Sequence, residues 1–137
     1  MSPYHPDAED ALEQATAELF ERLGWEVVNA YHETFPDSLL GRENAGEVVL
    51  VSRLRSALER LNPGLPRAAI DQAIEELARD RSALSPAQAN REVYRLLRDG
   101  VKVRYRDEDG AEVEESVRVV DWSEPKNNDF LLVRQLW

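Results

Sequence analysis

Cysteine is absent from all 137 residues, which excludes disulfides and thiolate-ligated metals. Histidine is nearly absent: His5 and His32 are the two present, and they lack the H-x-x-x-H spacing of a metal site. No apolar run approaches the roughly 18 residues that a membrane helix needs. The opening Met-Ser-Pro-Tyr-His-Pro-Asp has neither the basic n-region nor the apolar h-region of a secretory signal. These absences lead to the expectation of a cytoplasmic protein with no membrane partner. A G-x-x-x-x-G-K-[ST] phosphate loop is missing too, so no ATP-binding motor is expected within these residues.

What is abundant is negative charge. Acidic residues number 27 against 17 basic ones, a net charge of −10, which argues against the chain gripping phosphate backbones by itself. The charge is unevenly spread. Between positions 91 and 106, Arg91, Arg95, Arg98, Lys102, Arg104 and Arg106 oppose only Glu92 and Asp99. The plain reading is a solvated helix face followed by a solvated strand face. The length fits one domain over residues 1–137, with a sizeable core.

Along the chain, Asp7 is placed to cap a helix whose apolar residues Ala8, Leu12, Ala15, Leu19 and Leu23 recur at helical spacing, with Gly24 as its stop. Trp25 to Val28 reads as a short strand, followed by a loop to about Gly46. Val51, Leu54, Leu58 and Leu61 form a second helical stripe, ended by Asn62-Pro63-Gly64. A third helix opens with Pro66 at its first position and buries Ile70, Ala73, Ile74 and Leu77. Ser85-Pro86 opens a fourth, with Val93, Leu96 and Leu97 inward and Gly100 as its stop. The period then changes to two: Val101, Val103 and Tyr105 alternate with basic residues, and Asp109-Gly110 turns the chain into a strand reaching about Asp121. The acids Asp107, Glu108, Asp109, Glu112, Glu114 and Glu115 read as a solvated tip, without calcium-loop spacing.

The last apolar run, Phe130-Leu131-Leu132-Val133, has no polar alternation, so a central strand buried on both faces is expected. It ends close to the last residue, which predicts a chain cut short. The fold class expected is α+β, helices flanking a small antiparallel sheet, with a meander at the C-terminal end.

Several strings carry a resemblance: Leu61-Asn62-Pro63, Asn90-Arg91, Leu96-Leu97-Arg98-Asp99-Gly100-Val101, Val120-Asp121-Trp122, and Asn127-Asn128-Asp129-Phe130 with Gln135. In order and spacing, over almost the whole chain, they resemble the N-terminal region of type I restriction enzyme R subunits. The resemblance implies a PD-(D/E)xK nuclease domain that cuts DNA with Mg²⁺, followed in the parent protein by helicase-like domains that move DNA with ATP. It also implies assembly with modification and specificity subunits. The chain departs from the family in one respect. The strand with the metal-binding Asp and the strand with the Glu-x-Lys pair, which together hold the metal and place the Lys, are not in this sequence. The resemblance thus implies an incomplete restriction-endonuclease-like domain, inactive alone, with no cofactor bound.

One element of that site has a counterpart. The family's acidic residue on the first helix falls on Glu13, with Glu9 one turn earlier; the plain alternative is a pair of solvated acids near a helix N-terminus. Glu124-Pro125-Lys126 spells Glu-x-Lys, and Pro36-Asp37 spells the other half, but Pro125 lies in a link where alternation fails. His5 and His32 read as surface or locally bonded residues. Asn62, Asn90, Asp121, Asn127 and Asn128 read as structural residues that cap or bond nearby backbone. Absent sheet strands would leave Phe130, Leu132 and Trp137 partly exposed, favouring self-association. The competing function is a complete small acidic binding module, even a DNA mimic that blocks a nuclease.

Overall fold

The structure, a computed structural model, describes residues 6–136, with side chains from Ala8 onward. His5, Trp137 and the capping side chain of Asp7 lie outside the described residues. The chain forms two compact units, one of the residues up to Gly46 together with those from Asp129, the other of Glu47–Asn128.

The Glu47–Asn128 unit holds helices α2 (Val51–Leu61), α3 (Arg67–Leu77) and α4 (Pro86–Asp99) and strands β2 (Val101–Arg106) and β3 (Glu112–Val117). The helical stripes pack where their spacing predicts. Leu58, Ala69, Ile70, Ala73 and Ile74 are buried against Val101, Val103 and Val117, with Leu54, Leu77 and Leu96 partly buried around them. Ser85 caps α4 reciprocally: its hydroxyl accepts from the Gln88 N–H, and the Gln88 side chain accepts from the Ser85 N–H. That arrangement satisfies two otherwise unpaired donors. Pro66 is the N-cap of α3 rather than its first helical residue. Its lack of an N–H costs nothing at either position.

The antiparallel hairpin forms as the alternation predicts, with Val101 opposite Val117 and Arg106 opposite Glu112. Its loop is tied by the Asp107 carboxylate, which accepts from the N–H groups of Asp109 and Ala111. β3 stops at Val117, short of the expected Asp121. Asn62 explains the stop: its side-chain amide takes the place of a strand, accepting from the Arg118 N–H at 2.7 Å and donating to the Arg118 carbonyl at 2.8 Å. Gln72 does the same for the edge of β2, exchanging both bonds with the Arg104 peptide.

The other unit contains α1 (Pro6–Arg22), β1 (Glu26–Asn29) and β4 (Leu131–Arg134). Here the expectations for β4 and for α1 are corrected. β4 does not continue a C-terminal meander: it pairs parallel with β1, Glu26 opposite Leu131 and Asn29 opposite Arg134. Parallel neighbours need a long crossover, and residues 47–128 lie in that connection. Nor is β4 central. Its four residues are all half-buried, and among the described residues β1 is its one neighbour.

The second correction concerns α1. Ala8, Leu12, Ala15, Leu19 and Leu23 are exposed, Leu12 by 69%, while Ala17 is buried and Glu13, Thr16 and Phe20 are half-buried. Aromatic packing sets this rotation. The Phe20 ring meets Trp25 edge-on at 4.8 Å, and Trp25 stacks on Phe130 at 4.9 Å. Contacts of that kind are worth about 1 kcal/mol beyond their buried area. The loop after β1 is built on a buried ion pair between Arg42 and Glu33, to which Ser38 also donates.

Candidate functional site

Glu13 lies on the half-buried face of α1 and reaches the end of β4. Arg134 Nε donates to Glu13 Oε1 at 2.8 Å, and Gln135 Nε2 lies 3.0 Å from Oε1 and 2.8 Å from Oε2. Arg134 also faces Asp10 at 3.6 Å. The Arg134 hydrogen bond, and then that of Gln135, hold the Glu13 carboxyl below the usual glutamate range. Gln135 stands at φ +57, a left-handed conformation that costs a non-glycine residue about 1 kcal/mol. Beside this cluster, a cleft of about 530 Å³ is lined by Glu9, Leu12, Glu13, Leu132 and Arg134 among others.

The arrangement keeps a carboxylate ionised and fixes its orientation. It does not by itself suit a divalent cation. Such an ion needs several fixed oxygens, whereas Glu13 already accepts from two side chains and stands beside a guanidinium. Among the described residues, no three His, Asp or Glu side chains come together as a metal site.

Asp121, Asn127 and Asn128 form a second cluster. Asp121, buried at 7% exposure, accepts through Oδ1 from the N–H groups of Ser123 and Glu124 and through Oδ2 from Asn127 Nδ2. Those bonds, the Glu124 N–H first, hold its carboxyl below the aspartate range. Asn128 closes the ring. Its Oδ1 accepts from the Asp121 N–H at 2.7 Å, and its Nδ2 donates to the carbonyls of Asp121 and Pro125.

Asn90 differs from the cap or loop role expected of it, lying exposed inside α4. Glu124 and Lys126 flank Pro125, 4.0 Å apart and exposed, with Pro125 opening a short 3₁₀ turn instead of a strand. His32 packs edge-on against Tyr31, and Asp37 is exposed in the β1 loop. Sequence reasoning missed Arg134 and Gln135 as the partners of Glu13. A polar pair closing an apolar strand was the signal available for them.

The described residues thus combine helices and strands with one fixed carboxylate on α1. The chain belongs to the family described as type I restriction enzyme R protein N terminus, whose model matches residues 7–137. It is 35% identical over 130 residues to the type I restriction enzyme HindI endonuclease subunit of Haemophilus influenzae. That match covers 93% of this chain and 12% of the relative, so the chain spans a small part of the relative's length. No solved structure matches the chain.

Proposed function

We propose that these residues form the opening part of the nuclease domain of a type I restriction R subunit. The parent cleaves DNA with Mg²⁺, moves it with ATP, and works in the cytoplasm with modification and specificity subunits. The observation that carries this reading is the family match across residues 7–137, supported by a relative that is itself an endonuclease subunit. Both compact units then belong to one larger domain. Metal chemistry in the parent needs carboxylates beyond those gathered here, and Glu13 serves at the edge of that site as a fixed, ionised side chain. Asn62, Asp121, Asn127 and Asn128 hold the backbone rather than react.

The test uses the intact subunit assembled with its partners. Glu13→Ala should reduce DNA cleavage by roughly tenfold or more, as loss of a residue that orients a metal site does, while ATP hydrolysis persists. Unchanged cleavage would remove Glu13 from the site. Loss of ATP hydrolysis in equal measure would assign it to folding instead.

A further inference from the structure

The basic stretch between residues 91 and 106 divides into two parts with different fates. On the hairpin, Arg104 faces Glu114 at 3.4 Å and Glu112 at 3.9 Å, and Arg106 donates to the Gly110 carbonyl. That half is offset by the acids of β3. On α4 one acid is drawn to the preceding segment and the other is paired on the helix itself, with Arg95 also near it. Glu92 is half-buried and holds Arg79 and Arg81 of the preceding segment. Asp99 is held by two hydrogen bonds of 2.8 Å from Arg98.

What remains on the outer face of α4 is Arg91, Tyr94, Arg95 and Arg98, at i, i+3, i+4 and i+7 and all exposed. Arg91 and Arg95 form no salt bridge among the described residues. The Tyr94 ring is 57% exposed and carries the Arg98 guanidinium over its face at 5.6 Å. At the end of the same helix, Trp122 donates its indole N–H to the Leu97 carbonyl at 3.2 Å, and its side chain remains 64% exposed. That hydrogen bond fixes the ring without covering it.

We propose that this face of α4, with Arg91, Tyr94 and Arg95 at its centre and Trp122 at its end, docks the phosphodiester backbone of DNA. Two guanidiniums on one helix face, one turn apart, suit neighbouring phosphates, which arginine binds through paired donors. The exposed Trp122 at the end of the helix offers a stacking surface to a base. The net charge of −10 makes the binding weak and salt-sensitive, because the rest of the surface repels the same polyanion. This deepens the reading of the parent as a DNA-cutting enzyme and rests on it for the identity of the polyanion.

The measurement is fluorescence anisotropy of labelled single-stranded and duplex oligonucleotides with the 137-residue chain, titrated with salt. Binding at low ionic strength is expected, with a log–log salt slope of about −2 on duplex from two phosphate contacts. Arg91→Glu/Arg95→Glu should lower affinity by about tenfold or more and flatten the slope, since each lost phosphate contact removes about one unit of it. Arg22→Glu/Arg67→Glu, with the same change in net charge elsewhere, should cost far less. Arg91→Gln/Arg95→Gln serves if the charge reversal melts the helix by circular dichroism.

Tighter single-strand binding that falls in Trp122→Ala identifies a single strand as the bound form. Binding to both forms that ignores Trp122 identifies the duplex backbone. The proposal is overturned by no binding at low salt, by equal losses in the two charge-reversal variants, or by labelled poly-glutamate binding as tightly as DNA. Each of those results leaves cleavage by the intact subunit, on which the nuclease reading is judged, unaffected.

Discussion

Asparagine and glutamine side chains replace missing strand neighbours at several points in this chain. Asn62 pairs with both polar groups of Arg118, and Asn128 pairs with both polar groups of Asp121. Each substitution Asn62→Ala or Asn128→Ala should lower unfolding free energy by about 1 kcal/mol, the usual net worth of such bonding, as read from urea melts of the chain. An unchanged midpoint in Asn128→Ala would show that the ring around Asp121 contributes nothing to stability. Asp121 adds a pH dependence. Its folded pKa lies below its unfolded value, so the stabilisation is present above the unfolded aspartate value of about 3.9 and is lost as pH falls through the folded one. Glu13, Glu33 and Asp99 shift in the same direction. The melting temperature should therefore fall on acidification below about pH 4, and Asp121→Asn should show a shallower fall; identical acid slopes would contradict this. Short polar residues near Pro125 announced a bonded link in the sequence, whereas Gln72, on a helix flank, carried no mark of its pairing with β2.

Elements that depend on neighbours close in sequence were the legible ones. α2, α3, α4 and the hairpin follow from apolar period and stop residues because each buries a face against its own unit. Gly100 is the sharpest of these stops. It stands at φ +84, and an added Cβ would lie 2.7 Å from the Val117 carbonyl oxygen. Gly100→Ala should cost more than the roughly 1 kcal/mol of backbone strain alone, because β3 must also move. Amide-to-amide contacts between residues 101–106 and 112–117 in solution check the hairpin itself. The elements misread were those whose partners are remote. α1 is rotated by Phe20, Trp25 and Phe130, and by the demand of Arg134 and Gln135 for Glu13. β4 reads as a central strand from its apolar content, but it is half-buried throughout, and apolar content does not record which strand it joins. Its actual neighbour, β1, lies more than a hundred residues earlier.

At the scale of the whole molecule, family membership and geometry bear on different questions. The match over residues 7–137 favours the restriction-subunit reading over an acidic DNA mimic, and no separate feature of the structure favours the mimic. Among the described residues no helix is long and apolar enough to cross a membrane. The expected self-association stands as a proposal, with Phe130 36% and Leu136 52% exposed beside β4. The geometry bears on chemistry through Glu13, whose carboxylate is held by a guanidinium and an amide. The central proposal is that these 137 residues do not form a working nuclease by themselves. Incubating the purified chain with supercoiled plasmid and Mg²⁺ measures it directly. The expected result is plasmid that stays supercoiled at any Mg²⁺ concentration. Mg²⁺-dependent nicking that disappears in Glu13→Ala, or in Glu124→Ala/Lys126→Ala, would contradict the account and place a metal site where it puts none.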